Sequence, residues 1–145
     1  MQNLLVKGRV KNKLLVWTYA LDVLKELKLH RLRTRPIIIK FKNDIGGALG
    51  LCEGDKQYAY LYIAKKCPVT GRKFTFLELM RTMTHELVHA RQFLRGELRA
   101  EGGWTWKGKP ANGIQYDKQP WEEEAFRLEA EIFNSTFPIH IPFDN

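Results

Sequence analysis

The hexapeptide Thr84-His85-Glu86-Leu87-Val88-His89 constrains this chain more than any other stretch. Residues four apart share a helix face, so both imidazoles can reach one metal ion, and Glu86 can meet a water held by that ion. A helix is what the flanking residues predict: Phe76, Leu79, Met80, Met83, Leu87 and Ala90 recur at helical intervals. Thr75 and Glu78 have capping-box spacing, and Gly96 is a stop signal. The competing reading is a pair of core histidines, each satisfied by a backbone group or a carboxylate. A third ligand would decide between the two.

The last predicted helix supplies a candidate. Pro120 opens it and Glu122, Glu123 and Glu124 fill its first turn, as the helix dipole favours. At about 100° per residue, Ala125, Phe126, Glu129, Ile132 and Phe133 cluster around Glu122, while Glu124 falls opposite with Arg127 and Glu131. Glu122 is therefore expected to point into the apolar face and Glu124 into solvent. A carboxylate aimed into a core needs a partner, and a metal is an adequate one. Glu129, two turns on, is placed to accept the free N–H of a ligand histidine.

Elsewhere the pattern is that of a small α+β domain. Residues 1–9 read as a loose or short extended lead-in. Leu14, Trp17, Ala20, Leu21, Leu24 and Leu27 predict an amphipathic helix over about residues 11–29. After Pro36, residues 37–42, 48–53 and 57–64 read as three strands with short connections, which suggests a largely antiparallel meander packed on helices. Tyr58, Tyr60 and Tyr62 fit a half-exposed face of it. Residues 96–119 form a long connection of the kind that is usually functional or mobile.

With 145 residues and 44% hydrophobic content, residues 1–145 suit one domain with a sizeable core. Lys and Arg outnumber Asp and Glu by 24 to 16, a formal charge of +8. That excess favours a nucleic acid or another acidic partner, and a merely well-solvated surface accounts for it equally. Cys52 and Cys67 lack any CxxC spacing and read as free thiols. The apolar run at 14–21 is broken by Asp22 and Lys25, and nothing approaches a membrane span, so a soluble cytoplasmic protein is expected, in the host cell if phage-encoded.

Taken together, His85-Glu86-Leu87-Val88-His89 and the later Glu122-Glu123-Glu124-Ala125 resemble the zincin metallopeptidases of the gluzincin type. The pairing of HELVHARQ with a Trp-Lys-Gly-Lys stretch and Tyr116-x-x-x-Pro-Trp-Glu is similar to small metallopeptidase-like proteins of bacteriophages and bacteria. That resemblance covers about residues 75–130. It implies a zincin-like domain with Zn2+ held by His85, His89 and Glu122, Glu86 as general base, and hydrolysis of peptide bonds in a protein or peptide substrate. Gluzincins carry an aspartate four residues after the ligand glutamate, where this chain has Phe126; its role then passes to Glu129, a backbone carbonyl or another group. Zincins that use a third histidine instead would have to draw on His30 or His140. Tyr116 is the candidate oxyanion stabiliser. The alternative is a catalytically silent zincin-fold protein that binds metal or partners, nucleic acid among them.

Overall fold

A computed structural model of the chain describes residues 3–140, and side chains as far as residue 136. In chain order the elements are β1 (Leu4–Lys7), α1 (Lys13–Glu26), β2 (Ile37–Lys42), β3 (Gly50–Gly54), β4 (Ala59–Ala64), α2 (Phe76–Leu94), β5 (Leu98–Arg99), β6 (Thr105–Trp106), β7 (Lys109–Pro110), a 3-10 turn (Tyr116–Lys118) and α3 (Pro120–His140). The class is α+β. The main sheet is not the expected meander. It has four strands in the order β1-β2-β4-β3, with β1/β2 and β2/β4 parallel and only β3/β4 antiparallel.

Two physical causes separate expectation from structure. Residues 4–7, read as a lead-in, pair Leu4 with Ile37 through Lys7 with Lys40, and α1 makes the crossover that a parallel pair requires. No local periodicity encodes a partner thirty residues away. In addition, β4 returns between β2 and β3, which leaves β3 at the sheet edge.

Alternation then builds the core. Ile37, Ile39 and Phe41 of β2 and Ala59, Leu61 and Ile63 of β4 face one side and are buried. Against them pack Val16, Ala20, Val23 and Leu24 of α1, Met80, Met83 and Leu87 of α2, and Ala125, Ile132 and Phe133 of α3. Tyr60 and Tyr62 stand half-exposed on the opposite face, and Tyr58 is exposed. Helix α1 is shorter at both ends than expected. Among the described residues no helix is long and apolar enough to cross a membrane. Both cysteines are free thiols.

Helix α2 starts and stops on the sequence signals. Thr75 Oγ1 accepts from the Glu78 amide at 3.2 Å, and the Glu78 carboxylate accepts from the Thr75 amide at 2.9 Å. At the other end Gly96 adopts φ 73°, the left-handed backbone that lets the chain leave the helix. The connection that follows is ordered. Strands β5, β6 and β7 form a small antiparallel sheet, and Phe93, Leu98, Ala111 and Trp121 form a second core beneath it. Trp104 stacks on Trp121 with ring centroids 6.0 Å apart.

Candidate metal centre

Helix α2 and the first turns of α3 pack together, bringing the histidine pair and Glu122 to one point. His85 Nε2 lies 3.0 Å from Glu122 Oε1, and His89 Nε2 lies 3.1 Å from Glu122 Oε2. One ligand atom from each of His85, His89 and Glu122 falls within 4.8 Å of the others, so the three form a group that could hold a metal ion.

Both imidazoles are fixed from behind. His85 Nδ1 lies 3.0 Å from Glu129 Oε1, and the other Glu129 oxygen accepts from Arg81 Nε at 2.6 Å. His89 Nδ1 lies 2.7 Å from Gln92 Oε1. The amide of Gln92 cannot be reversed without loss, because its Nε2 donates to the Trp121 carbonyl at 2.9 Å and to Glu124 Oε1 at 3.1 Å. Its oxygen must therefore face His89, and the proton of His89 sits on Nδ1. The Nε2 lone pairs of both rings are thus available toward Glu122. This carboxylate-histidine and amide-histidine arrangement is what metal-binding imidazoles commonly use.

Electrostatics favour a cation at this point. Glu86, Glu122 and Glu129 bring three carboxylates to a mostly buried cluster, against which the structure sets the half-exposed Arg81. Burial alone would lower the His85 pKa, but hydrogen bonds to Glu122 and Glu129 and the charge of Glu86 outweigh it and hold the ring at about 9. Burial alone would likewise raise Glu122, yet the two histidines hold it at about 2. Without a metal, a proton on His85 supplies the positive charge the carboxylates demand. A divalent cation would supply it better, since three carboxylates and one guanidinium leave two negative charges. The donor set therefore fits a metal.

Glu86 lies beside the histidines on α2, 6% exposed, and burial pushes its carboxyl up. Its neighbour across the gap is Gly50, the first residue of β3. A Cβ at Gly50 would come within 2.8 Å of Glu86 Cγ and Oε2 and 2.9 Å of Thr82 Cγ2. Only glycine leaves the Glu86 carboxylate its place under the edge strand.

His85, Glu86, His89, Glu122, Glu129, Arg81 and Gly50 line one open cleft of about 700 Å³, whose walls include Leu49 and Leu51 of the β3 side and Trp104, Trp121 and Phe126 of the other. The Tyr116 hydroxyl reaches 3.3 Å from Glu122 Oε1 in the same cleft. Burial and the Glu122 charge raise its pKa to about 12, so it keeps its proton.

The structure thus brings His85, Glu86, His89, Tyr116, Glu122 and Glu129 together. Two expectations on α3 need correction. Glu124 is not in solvent: its side chain is 15% exposed, bonded to Gln92 and 3.8 Å from Arg91. The helical wheel misplaced it because α2 flanks α3 on that side as well. Phe126, grouped with the inward residues, is 52% exposed, with its ring 4.5 Å from His85 at the cleft wall. The side chain of His140 lies outside the described residues, and His30 is not part of the cluster. Sequence reading missed Gln92, Arg81 and Gly50. The first two were findable by spacing, three residues after His89 and four before His85; Gly50 is set by a tertiary contact.

No protein-family model matches this chain, and no curated protein matches its sequence. Among solved structures it is similar to a crystal structure of a Wss1 mutant from Saccharomyces cerevisiae, with 12% identity, 92% of this chain and 90% of that chain covered, and a TM-score of 0.43.

Proposed function

We propose that this chain is a zinc-dependent metallopeptidase of the zincin type, with His85, His89 and Glu122 as ligands and Glu86 as general base. The observation that carries the reading is the convergence of two back-anchored imidazole Nε2 atoms on one carboxylate, with a further buried carboxylate beside them in an open cleft. Two histidines and a carboxylate are a donor set natural to zinc, which when bound acts as a Lewis acid on a carbonyl and acidifies water.

The chain's own residues would divide the remaining work. Glu86 takes a proton from the attacking water and returns it to the leaving amine. Its raised pKa suits a group that must hold that proton in between. Glu129 and Gln92 keep the rings oriented. Tyr116, protonated and 3.3 Å from Glu122, would serve as hydroxyl donor for a developing oxyanion. Strand β3 pairs with β4 along one side only, so its outer side offers backbone groups to an extended peptide above Glu86. Leu49, Leu51, Trp104 and Trp121 would receive apolar side chains of such a peptide.

The test is metal content and peptide cleavage of wild type, Glu122→Ala and Glu86→Gln. Near one zinc per wild-type chain, lost in Glu122→Ala, with cleavage abolished in a zinc-loaded Glu86→Gln, is the expected result. Full zinc with no cleavage of a broad peptide library would favour a metal-binding protein without catalysis. Unchanged turnover in Glu86→Gln would overturn the mechanism.

A further inference from the structure

Outside the metal cleft, the topology gathers positive charge. Strands β1, β2 and β4 are parallel, so their C-terminal ends meet at one edge of the sheet, and each runs out in basic residues. Lys7 pairs with Lys40 in register, the Lys65 amide donates to the Lys42 carbonyl at 2.7 Å, and Lys66 bridges to Lys73. The Lys65 ammonium bonds the Arg9 carbonyl at 2.6 Å, drawing the segment after β1 into the group. A cleft of about 630 Å³ opens there; Arg9, Lys65, Lys66 and Lys73 line it beside the apolar Phe74 and Leu79, and among the described residues no carboxylate does. The nearby Glu78 is paired with both terminal nitrogens of Arg72.

Next to this edge the sheet face turned away from the helices carries aromatic surface. Lys40 is in register with Tyr62, and the Tyr60 and Tyr62 rings stack 4.8 Å apart. Cations gathered at the end of the sheet, with half-exposed rings on the face that Lys40 shares, meet the two demands of a single nucleic-acid strand: phosphates to neutralise and unstacked bases to cover. A duplex keeps its bases stacked inside and has no use for the rings.

We propose that the end of the sheet where β1, β2 and β4 terminate binds the phosphate backbone of a single-stranded nucleic acid, with bases laid over Tyr60 and Tyr62. The site is separate from the metal centre and does not depend on it.

The probe is a fluorescein-labelled oligothymidylate of about twelve nucleotides, followed by anisotropy with the full chain at salt from about 50 mM upward. Micromolar binding is expected, with the logarithm of affinity falling linearly against the logarithm of salt. Arg9→Glu with Lys73→Glu should weaken it at least tenfold, and Lys25→Glu with Arg33→Glu, equal in net charge, should stay within about twofold. Tyr62→Leu should weaken binding about fivefold or more and leave the salt slope unchanged. Glu122→Ala should bind as wild type does. Should the double reversal fail to fold, Arg9→Gln alone decides, by lowering the slope by about 0.7. The proposal is overturned by no binding at low salt, by equal weakening in the charge-matched control, by an unchanged slope in Arg9→Gln, or by tighter binding of a matching duplex or of vesicles rich in anionic lipid.

Discussion

Replacing Gln92 by leucine tests the candidate centre at a residue that touches neither metal nor substrate. Leucine keeps most of the volume and removes three hydrogen bonds: the acceptor of the His89 Nδ1 proton at 2.7 Å, and the donors to the Trp121 carbonyl and Glu124. Gln92 is fully buried, and His89 and Trp121 among the groups it leaves are buried as well, while Glu124 keeps Arg91 at 3.8 Å. Each orphaned buried partner costs about 1–3 kcal/mol, and the melting point should fall by several degrees. Loss of the group that orients a ligand histidine typically lowers metal affinity about 10–100-fold, or about 1.4–2.7 kcal/mol. Zinc affinity measured by competition with a chromophoric chelator, beside a thermal melt, reads both effects. Gln92→Glu supplies the contrast: it keeps an acceptor for His89 but sets a second carboxylate against Glu124, so it should retain more affinity than leucine while losing comparable stability. A folded Gln92→Leu chain that binds zinc within about twofold of wild type would refute the view that this amide holds His89 for a metal.

Gly50→Ala should leave zinc content unchanged yet lower peptide turnover about a hundredfold, because its methyl would claim the space of the Glu86 carboxylate, 2.8 Å away; wild-type kcat in this variant would show that the contact relaxes freely. Thr75→Ala should cost about 1 kcal/mol in denaturant unfolding through loss of the α2 cap. Glu78 gives a pH dependence: its hydrogen bonds with Arg72 hold its pKa at about 2, below the ordinary 4.5, so its stabilisation is complete above about pH 4.5 and is lost as pH falls toward 2. With side chains 57% and 39% exposed, solvent screening keeps that contribution under about 1 kcal/mol. The melting difference between wild type and Glu78→Gln should accordingly vanish in acid, and a difference that grows there would reverse the sign of the argument. Glu129→Ala should weaken zinc binding about 10–100-fold in the same chelator competition, since it removes the acceptor that orients His85, and unchanged affinity would refute that role.

What could be read from the chain alone was what a single helix encodes. The face shared by His85 and His89, the capping box at Thr75 and the inward direction of Glu122 and Glu129 all follow from 3.6-residue geometry, and each is in place. What could not be read was whatever depends on a second element. Parallel pairing of Leu4–Lys7 with β2 leaves no local trace, and the insertion of β4 beside β2 cannot be told from a meander by alternation, which is identical in both. Glu124 failed for the same reason. A wheel divides a helix into core and solvent, whereas α3 is flanked on the supposed solvent side by Arg91 and Gln92 of α2.

These missed contacts change how the site is understood. The expectation left several groups to orient His85, and Glu129, three residues beyond Phe126 on α3, is the one that meets its Nδ1. A carboxylate there adds a third negative charge to Glu86 and Glu122, and Arg81, bonded at 2.6 Å, offsets one of the three. The two that remain are what a divalent ion neutralises. If that balance governs the site, Arg81→Met should make the cluster hold a proton on His85 more tightly in the metal-free chain. The His85 ring, raised to about 9 with Arg81 present, should then titrate higher still, because Glu129 would face it without a competing cation. Imidazole proton resonances followed through the titration of metal-free protein measure this directly. A His85 pKa that falls in Arg81→Met would mean that Arg81 acts on the ring through packing and not through the charge of Glu129.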